Sequence, residues 1–61
     1  MLKSQITVGD VYVAKVNNYL TNVRVDRIRE TSYGTRYDVT NMKTGRETMF
    51  RSAGKFRSKV G

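Results

Sequence analysis

The chain has 61 residues, a formal charge of +7 and neither Cys nor His; disulfides and zinc, the usual staples of very small domains, are therefore excluded. At this length a chain buries only about 60% of the surface its unfolded form exposes, so one marginal domain, 1–61, is the upper limit. Without imidazole or thiol, acid–base, nucleophilic and soft-metal chemistry lose their commonest groups, and five scattered acids form no calcium loop.

The N-terminus (Met1, Leu2, Lys3, Ser4, Gln5) lacks the apolar run of a signal peptide. No apolar stretch approaches the roughly 20 residues of a membrane span. The reading is a cytoplasmic protein without membrane contact, with residues 1–8 as an arm free to be flexible.

Abundant Val, Thr and Tyr, five Gly and no Pro predict strands joined by tight turns. Gly9 and Asp10 open a first strand over 11–16, with Tyr12, Ala14 and Val16 facing a core and Val11 and Val13 under a neighbouring loop. Asn17 and Asn18 tolerate left-handed backbone and mark a hairpin turn that ends near Tyr19 or Leu20. A second strand over 21–30 points Val23 and Val25 inward. It then changes parity so that Ile28 faces in, which predicts a bulge or sharp bend near Asp26 and Arg27.

Thr31, Ser32, Tyr33 and Gly34 turn the chain into a third strand over 35–41, with Tyr37 and Val39 inward and Arg36, Asp38 and Thr40 outward. After a turn over Met42, Lys43, Thr44 and Gly45, a fourth strand over 46–51 places Thr48 and Phe50 inward. Ser52, Ala53, Gly54 and Lys55 allow one helical turn. A short last strand then directs Phe56, Ser58 and Val60 inward and Arg57 and Lys59 outward. The sum is an all-β, five-stranded small barrel of Src-homology-3-like (SH3-like) order, with one short helical turn before the last strand. A five-stranded oligonucleotide-binding barrel is the runner-up, disfavoured because it usually carries a longer helix between its third and fourth strands.

Three segments carry a resemblance: Val8-Gly9-Asp10-Val11-Tyr12, Asn41-Met42-Lys43-Thr44-Gly45-Arg46 and Ser52-Ala53-Gly54-Lys55-Phe56-Arg57. They resemble those of small, mostly uncharacterised bacterial and phage proteins with SH3-like barrels, in the wider KOW and Tudor group. The KOW resemblance implies contacts to ribosomal RNA or transcription complexes. The Tudor resemblance implies an aromatic cage for methylated peptides, and no such cage is evident because Tyr12 and Tyr37 serve the core.

Function is read from charge. Residues 43–61 hold Lys43, Arg46, Arg51, Lys55, Arg57 and Lys59 against Glu47 alone, a one-sign cluster of the kind that faces a polyanion. The outward Arg24, Asp26, Arg36 and Asp38 alternate in sign and are read as cross-strand pairs with almost no net field. Thr44-Gly45-Arg46 lacks the order of a phosphate loop, and no catalytic pair, metal or cofactor is implied. The expectation is a non-enzymatic nucleic-acid-binding barrel with little sequence readout. Its contacts are Arg46, Arg51, Lys55, Arg57 and Lys59, with Lys43 and Tyr33 peripheral, and RNA or single-stranded DNA is favoured because no helix is long enough to fill a major groove. Tyr19 and Tyr33, in predicted turns, are further positions at which bases could stack. The alternative is a protein-interaction module, such as a phage-encoded regulator or inhibitor docking on an acidic face of a host protein, with Met42 and Met49 as adaptable contacts. A homo-oligomeric structural component is a third reading, since small marginal barrels gain stability by association.

Overall fold

A computed structural model describes residues 1–60. Five strands form one antiparallel sheet: β1 (Val11–Val16), β2 (Tyr19–Thr31), β3 (Gly34–Asn41), β4 (Glu47–Phe50) and β5 (Phe56–Lys59). The only helical pieces among the described residues are two 3-10 turns, Lys3–Gln5 and Ala53–Lys55. The spatial order is β4-β3-β2-β1-β5, so the last two strands of the chain form the two edges.

Local chemistry explains the connections. Asn17 and Asn18 both have positive φ, 49° and 68°, as a two-residue hairpin of type I′ requires, and they let Val16 pair directly with Tyr19. Because the turn is that tight, Tyr19 and Leu20 belong to β2 rather than to the predicted turn. At the next connection, Thr31 pairs with Gly34 across Ser32 and Tyr33. The Thr31 hydroxyl accepts from the Tyr33 N–H (3.2 Å) and donates to the Gly34 carbonyl (2.8 Å).

The predicted parity change in β2 is a bulge. Val25 pairs with Val39 and Arg27 with Asp38, leaving Asp26 as the extra residue. The first half of β2 thereby pairs with β1 and the second half with β3. The sheet curls: its two shorter dimensions are both 21 Å, whereas a flat single layer is about 10 Å thick. Among the described residues no ladder joins β4 to β5, so the sheet is not closed by hydrogen bonds.

The inner face packs around Phe56, which is fully buried. Its ring meets those of Tyr12, Tyr37 and Phe50 edge-on, at centroid distances of 5.5, 5.4 and 5.3 Å, the arrangement aromatic quadrupoles favour. Ala14, Val23, Val25, Val39 and Ile6 complete the buried set. Residues 1–8 lie against this core. Ile6 is buried, Met1 packs on it, and the buried Tyr12 hydroxyl accepts from the Thr7 N–H (2.8 Å) and donates to the Gln5 carbonyl (3.2 Å).

Several inward assignments are corrected. Thr48 stands opposite Val39 but is exposed, because β4 is a four-residue edge strand with nothing packed over its first half. In β5 the register shifts between Ala14–Phe56 and Val13–Ser58. Arg57 is the extra residue, Ser58 shares the outer side of Val13, and Ser58 and Val60 are both exposed. Val16 is only half-buried.

Candidate nucleic-acid interface

The placement of the cations follows from this strand order. Lys43 lies in the β3–β4 turn and Arg46 directly precedes β4. The turn is fixed by Asn41, whose Oδ1 accepts from the N–H groups of Lys43 (2.9 Å) and Thr44 (3.3 Å). Its own N–H donates to the Arg46 carbonyl (2.7 Å) and its carbonyl accepts from the Gly45 N–H (2.7 Å). Gly45 has φ +75°, a conformation that costs any residue with a Cβ. Arg51 follows β4 at the opposite end of that strand. The β3–β4 ladder ends at the Tyr37–Phe50 pair, and Arg51 is the next residue of the chain.

Lys55 ends the second 3-10 turn, which is capped by the Ser52 Oγ accepting from the Gly54 N–H (3.1 Å). It directly precedes Phe56, the partner of Ala14. Arg57 occupies the β5 bulge. Tyr33 sits at the tip of the β2–β3 hairpin, 87% exposed. The predicted cations thus do not form one strand-paired surface. Arg51, Lys55 and Arg57 follow the short connection from one sheet edge to the other, while Lys43 and Arg46 sit at the far end of β4.

The carboxylates divide the cations further. Asp10 pairs with Lys59 (3.3 Å), so Lys59 is the member of the C-terminal cluster with an acidic partner. Asp26, at the β2 bulge, accepts from Arg24 Nε (2.9 Å) and from the Thr40 hydroxyl; the Thr40 bond first and Arg24 second hold its carboxyl below the usual range. Glu30 is lowered in the same way by Lys3 and then by Thr35, whose hydroxyl donates at 2.9 Å. The same contact with Glu30 raises the Lys3 ammonium. Asp38 accepts two parallel bonds from Arg29, each 2.9 Å, which raise the guanidinium pKa. The cross-strand pairing predicted among Arg24, Asp26, Arg36 and Asp38 is therefore not the one formed: Asp38 pairs across strands with Arg29, and the Arg24–Asp26 contact runs along one strand.

Among the described residues, no carboxylate lies within ion-pair distance of Lys43, Arg46, Arg51, Lys55 or Arg57, all of them exposed. Lys15, Arg27 and the half-buried Arg36, absent from the predicted site, likewise have no carboxylate within that distance among the described residues. Arg36 instead donates to the carbonyls of Thr35 (3.1 Å) and Tyr33 (3.5 Å), which holds its guanidinium at the base of the hairpin. The signal was present in the sequence: Arg27, Arg29 and Arg36 share the outer side with Asp38 as their near carboxylate, and one acid cannot neutralise three cations.

A depression of about 540 Å³ between β2, β3 and β4 is lined by Asp26, Asp38 and Glu47 together with Arg27. Three carboxylates against one cation repel a phosphate, so this depression lies outside the candidate interface. Among the described residues no three His, Cys, Asp or Glu side chains are grouped so that they could hold a metal ion, and no helix is long and apolar enough to cross a membrane. Comparison with protein-family profiles, with curated proteins and with solved structures gave no match to this chain.

Proposed function

We propose that this chain is a non-enzymatic, cytoplasmic SH3-like barrel of the KOW and Tudor kind that binds nucleic acid through its phosphates, with little sequence readout and with RNA or single-stranded DNA as ligand. Three features support the barrel reading: the order β4-β3-β2-β1-β5, the bulge that bends β2, and the single 3-10 turn before β5. The binding reading rests on one observation, that the cations at positions 43, 46, 51, 55 and 57 have no carboxylate partner among the described residues while Lys3, Arg24, Arg29 and Lys59 each have one. A cation with no carboxylate partner is free to neutralise a phosphate and release its counterion.

The test is fluorescence anisotropy of labelled single-stranded RNA, single-stranded DNA and duplex DNA against the purified protein. Five phosphate contacts on a single strand give a salt slope of about −3.5, so affinity falls roughly a hundredfold between about 50 and about 200 mM salt. In Arg51→Glu with Arg57→Glu the slope drops to about −2 or shallower. Absence of binding at low salt, or binding that the double variant leaves intact, sinks the proposal.

Exposed Met42 and Met49, 50% and 39% accessible, and the unpaired outer edges of β4 and β5 support a second reading, a module that docks on an acidic host-protein surface, by strand addition among other modes. That mode survives moderate salt and fails in Met49→Ala, whereas phosphate binding has the opposite pattern.

A further inference from the structure

The β1–β2 hairpin ends beside the β3–β4 turn, and a groove of about 370 Å³ runs between them, lined by Val16, Tyr19 and Leu20 on one side and Asn41, Lys43 and Thr44 on the other. We propose that this groove seats one unpaired base of a nucleic-acid single strand against Tyr19, with the neighbouring phosphates held by Lys43 and Arg46. The inference rests on the nucleic-acid reading above and adds the form of the ligand, a strand whose bases are free to stack.

Tyr19 is 76% and Leu20 65% exposed, although both belong to a paired strand. Tyr19 has the parity of the buried Val23 and Val25, so it does not point away from the core side of the sheet. It lies beyond the end of the core, where the β3–β4 turn stands in place of another apolar layer. An aromatic ring left open on that side is a stacking platform, and every base has a face to offer it.

The opposite wall is preorganised. The Met42 N–H donates to the Asn22 carbonyl (2.9 Å) and the Thr21 hydroxyl to Asn41 Oδ1 (3.4 Å), which ties the turn carrying Lys43 to the strand carrying Tyr19. Binding then requires little further ordering of backbone. Charge names the occupant. Lys43 and Arg46 lack carboxylate partners among the described residues, and Arg46 lines an adjoining depression that shares Val16, Asn17, Asn41 and Thr44 with the groove. Glu47 also lines that second depression, so Lys43, which lies outside it, is the primary phosphate contact and Arg46 the secondary one. An apolar peptide would leave the cations unanswered, and a duplex would keep its base faces stacked inside itself.

The experiment compares a labelled oligothymidylate with an abasic phosphodeoxyribose strand of equal length, by anisotropy at low salt. Wild type is expected to prefer the base-bearing strand by about fivefold or more, the lower end of measured base stacking on aromatic side chains. Tyr19→Phe keeps that preference, Tyr19→Ala abolishes it while still binding the abasic strand, and Lys43→Ala weakens both strands alike. Equal affinity of wild type for the two strands overturns the stacking site and leaves the phosphate-binding surface standing, as does a preference that survives Tyr19→Ala. Failure of wild type to bind either strand overturns both. The wild-type comparison stands by itself should Tyr19→Ala fail to fold, and a 2-aminopurine in the strand adds a readout: its fluorescence is quenched by wild type and by Tyr19→Phe if the base stacks, and unchanged if it does not.

Discussion

Phe56→Ala tests the account of what holds this chain together. Phe56 has no exposed surface and is the one ring that touches all three other buried aromatics, at 5.3 to 5.5 Å. Truncating a buried Phe to Ala costs about 3–5 kcal/mol through lost transfer energy and the cavity left behind. Three edge-on contacts in a core this small place the cost at the upper end, about 4–5 kcal/mol. Against it stands a total stability of about 3–9 kcal/mol for a domain of this length. The variant should therefore show either no cooperative unfolding in urea at 25 °C or a midpoint no more than about half that of wild type, read by tyrosine fluorescence and far-ultraviolet circular dichroism together. Phe56→Leu, which keeps most of the volume and loses the ring edges, should retain a cooperative transition at a cost of about 1–2 kcal/mol. A Phe56→Ala protein that unfolds cooperatively with less than about 1.5 kcal/mol lost would refute the reasoning, because the core would then be organised around some other residue.

Asn18, at φ 68°, should be improved by Gly, the residue type I′ turns most favour at that place, and damaged by about 1–2 kcal/mol on replacement by Val, whose branched side chain resists left-handed backbone; thermal melts of the two variants should move in opposite directions. Acid titration of stability should respond to Asp26 and Glu30, whose folded-state pKa values are lowered first by the Thr40 and Lys3 contacts respectively. A lowered carboxyl contributes stability that is present above its unfolded pKa, about 4, and is lost as pH falls through its folded value. Asp26→Asn with Glu30→Gln should accordingly flatten the decline of urea midpoints below about pH 4 and leave its shape near neutrality unchanged, and an unaltered acid limb would show that these exposed contacts add nothing to folding.

Much of the fold was legible because it is written in period-two alternation and in turn chemistry. Asn17-Asn18 and the parity break around Asp26 and Arg27 each name a specific backbone event, and both occur where the residues put them. Other positions were hidden for physical reasons. Ile6 is a single apolar residue among polar neighbours, and its burial depends on where the Tyr12 hydroxyl anchors Gln5 and Thr7. The β5 bulge at Arg57 interrupts a run of only four residues, too short for a parity change to show, so Ser58 and Val60 read as inward. Thr48 has the right parity but no neighbour to cover it. In the candidate interface, the identity of the C-terminal cations was plain from composition. Their division into groups was not, since it comes from β4 and β5 lying at opposite edges.

The distribution of acids links fold to function. Asp26 is the extra residue that bends β2, and it is held by Arg24 of its own strand and by Thr40 of β3; Glu30 and Asp38 likewise secure the N-terminal segment and the β2–β3 pair. Carboxylates are thus spent where the long strand must be fixed in its curl. Among the described residues, eight cations remain without a carboxylate partner: Lys15, Arg27, Arg36, Lys43, Arg46, Arg51, Lys55 and Arg57. Their mutual repulsion opposes folding in a domain whose core has nine buried residues. If the proposed nucleic-acid binding holds, a polyanion that gathers several of them relieves that repulsion and stabilises the folded chain by as much as it prefers it to the unfolded one. On the proposed nucleic-acid reading, the same cations that make the free domain marginal would supply its affinity, and a substitution that removes one of them should strengthen the fold as it weakens the complex.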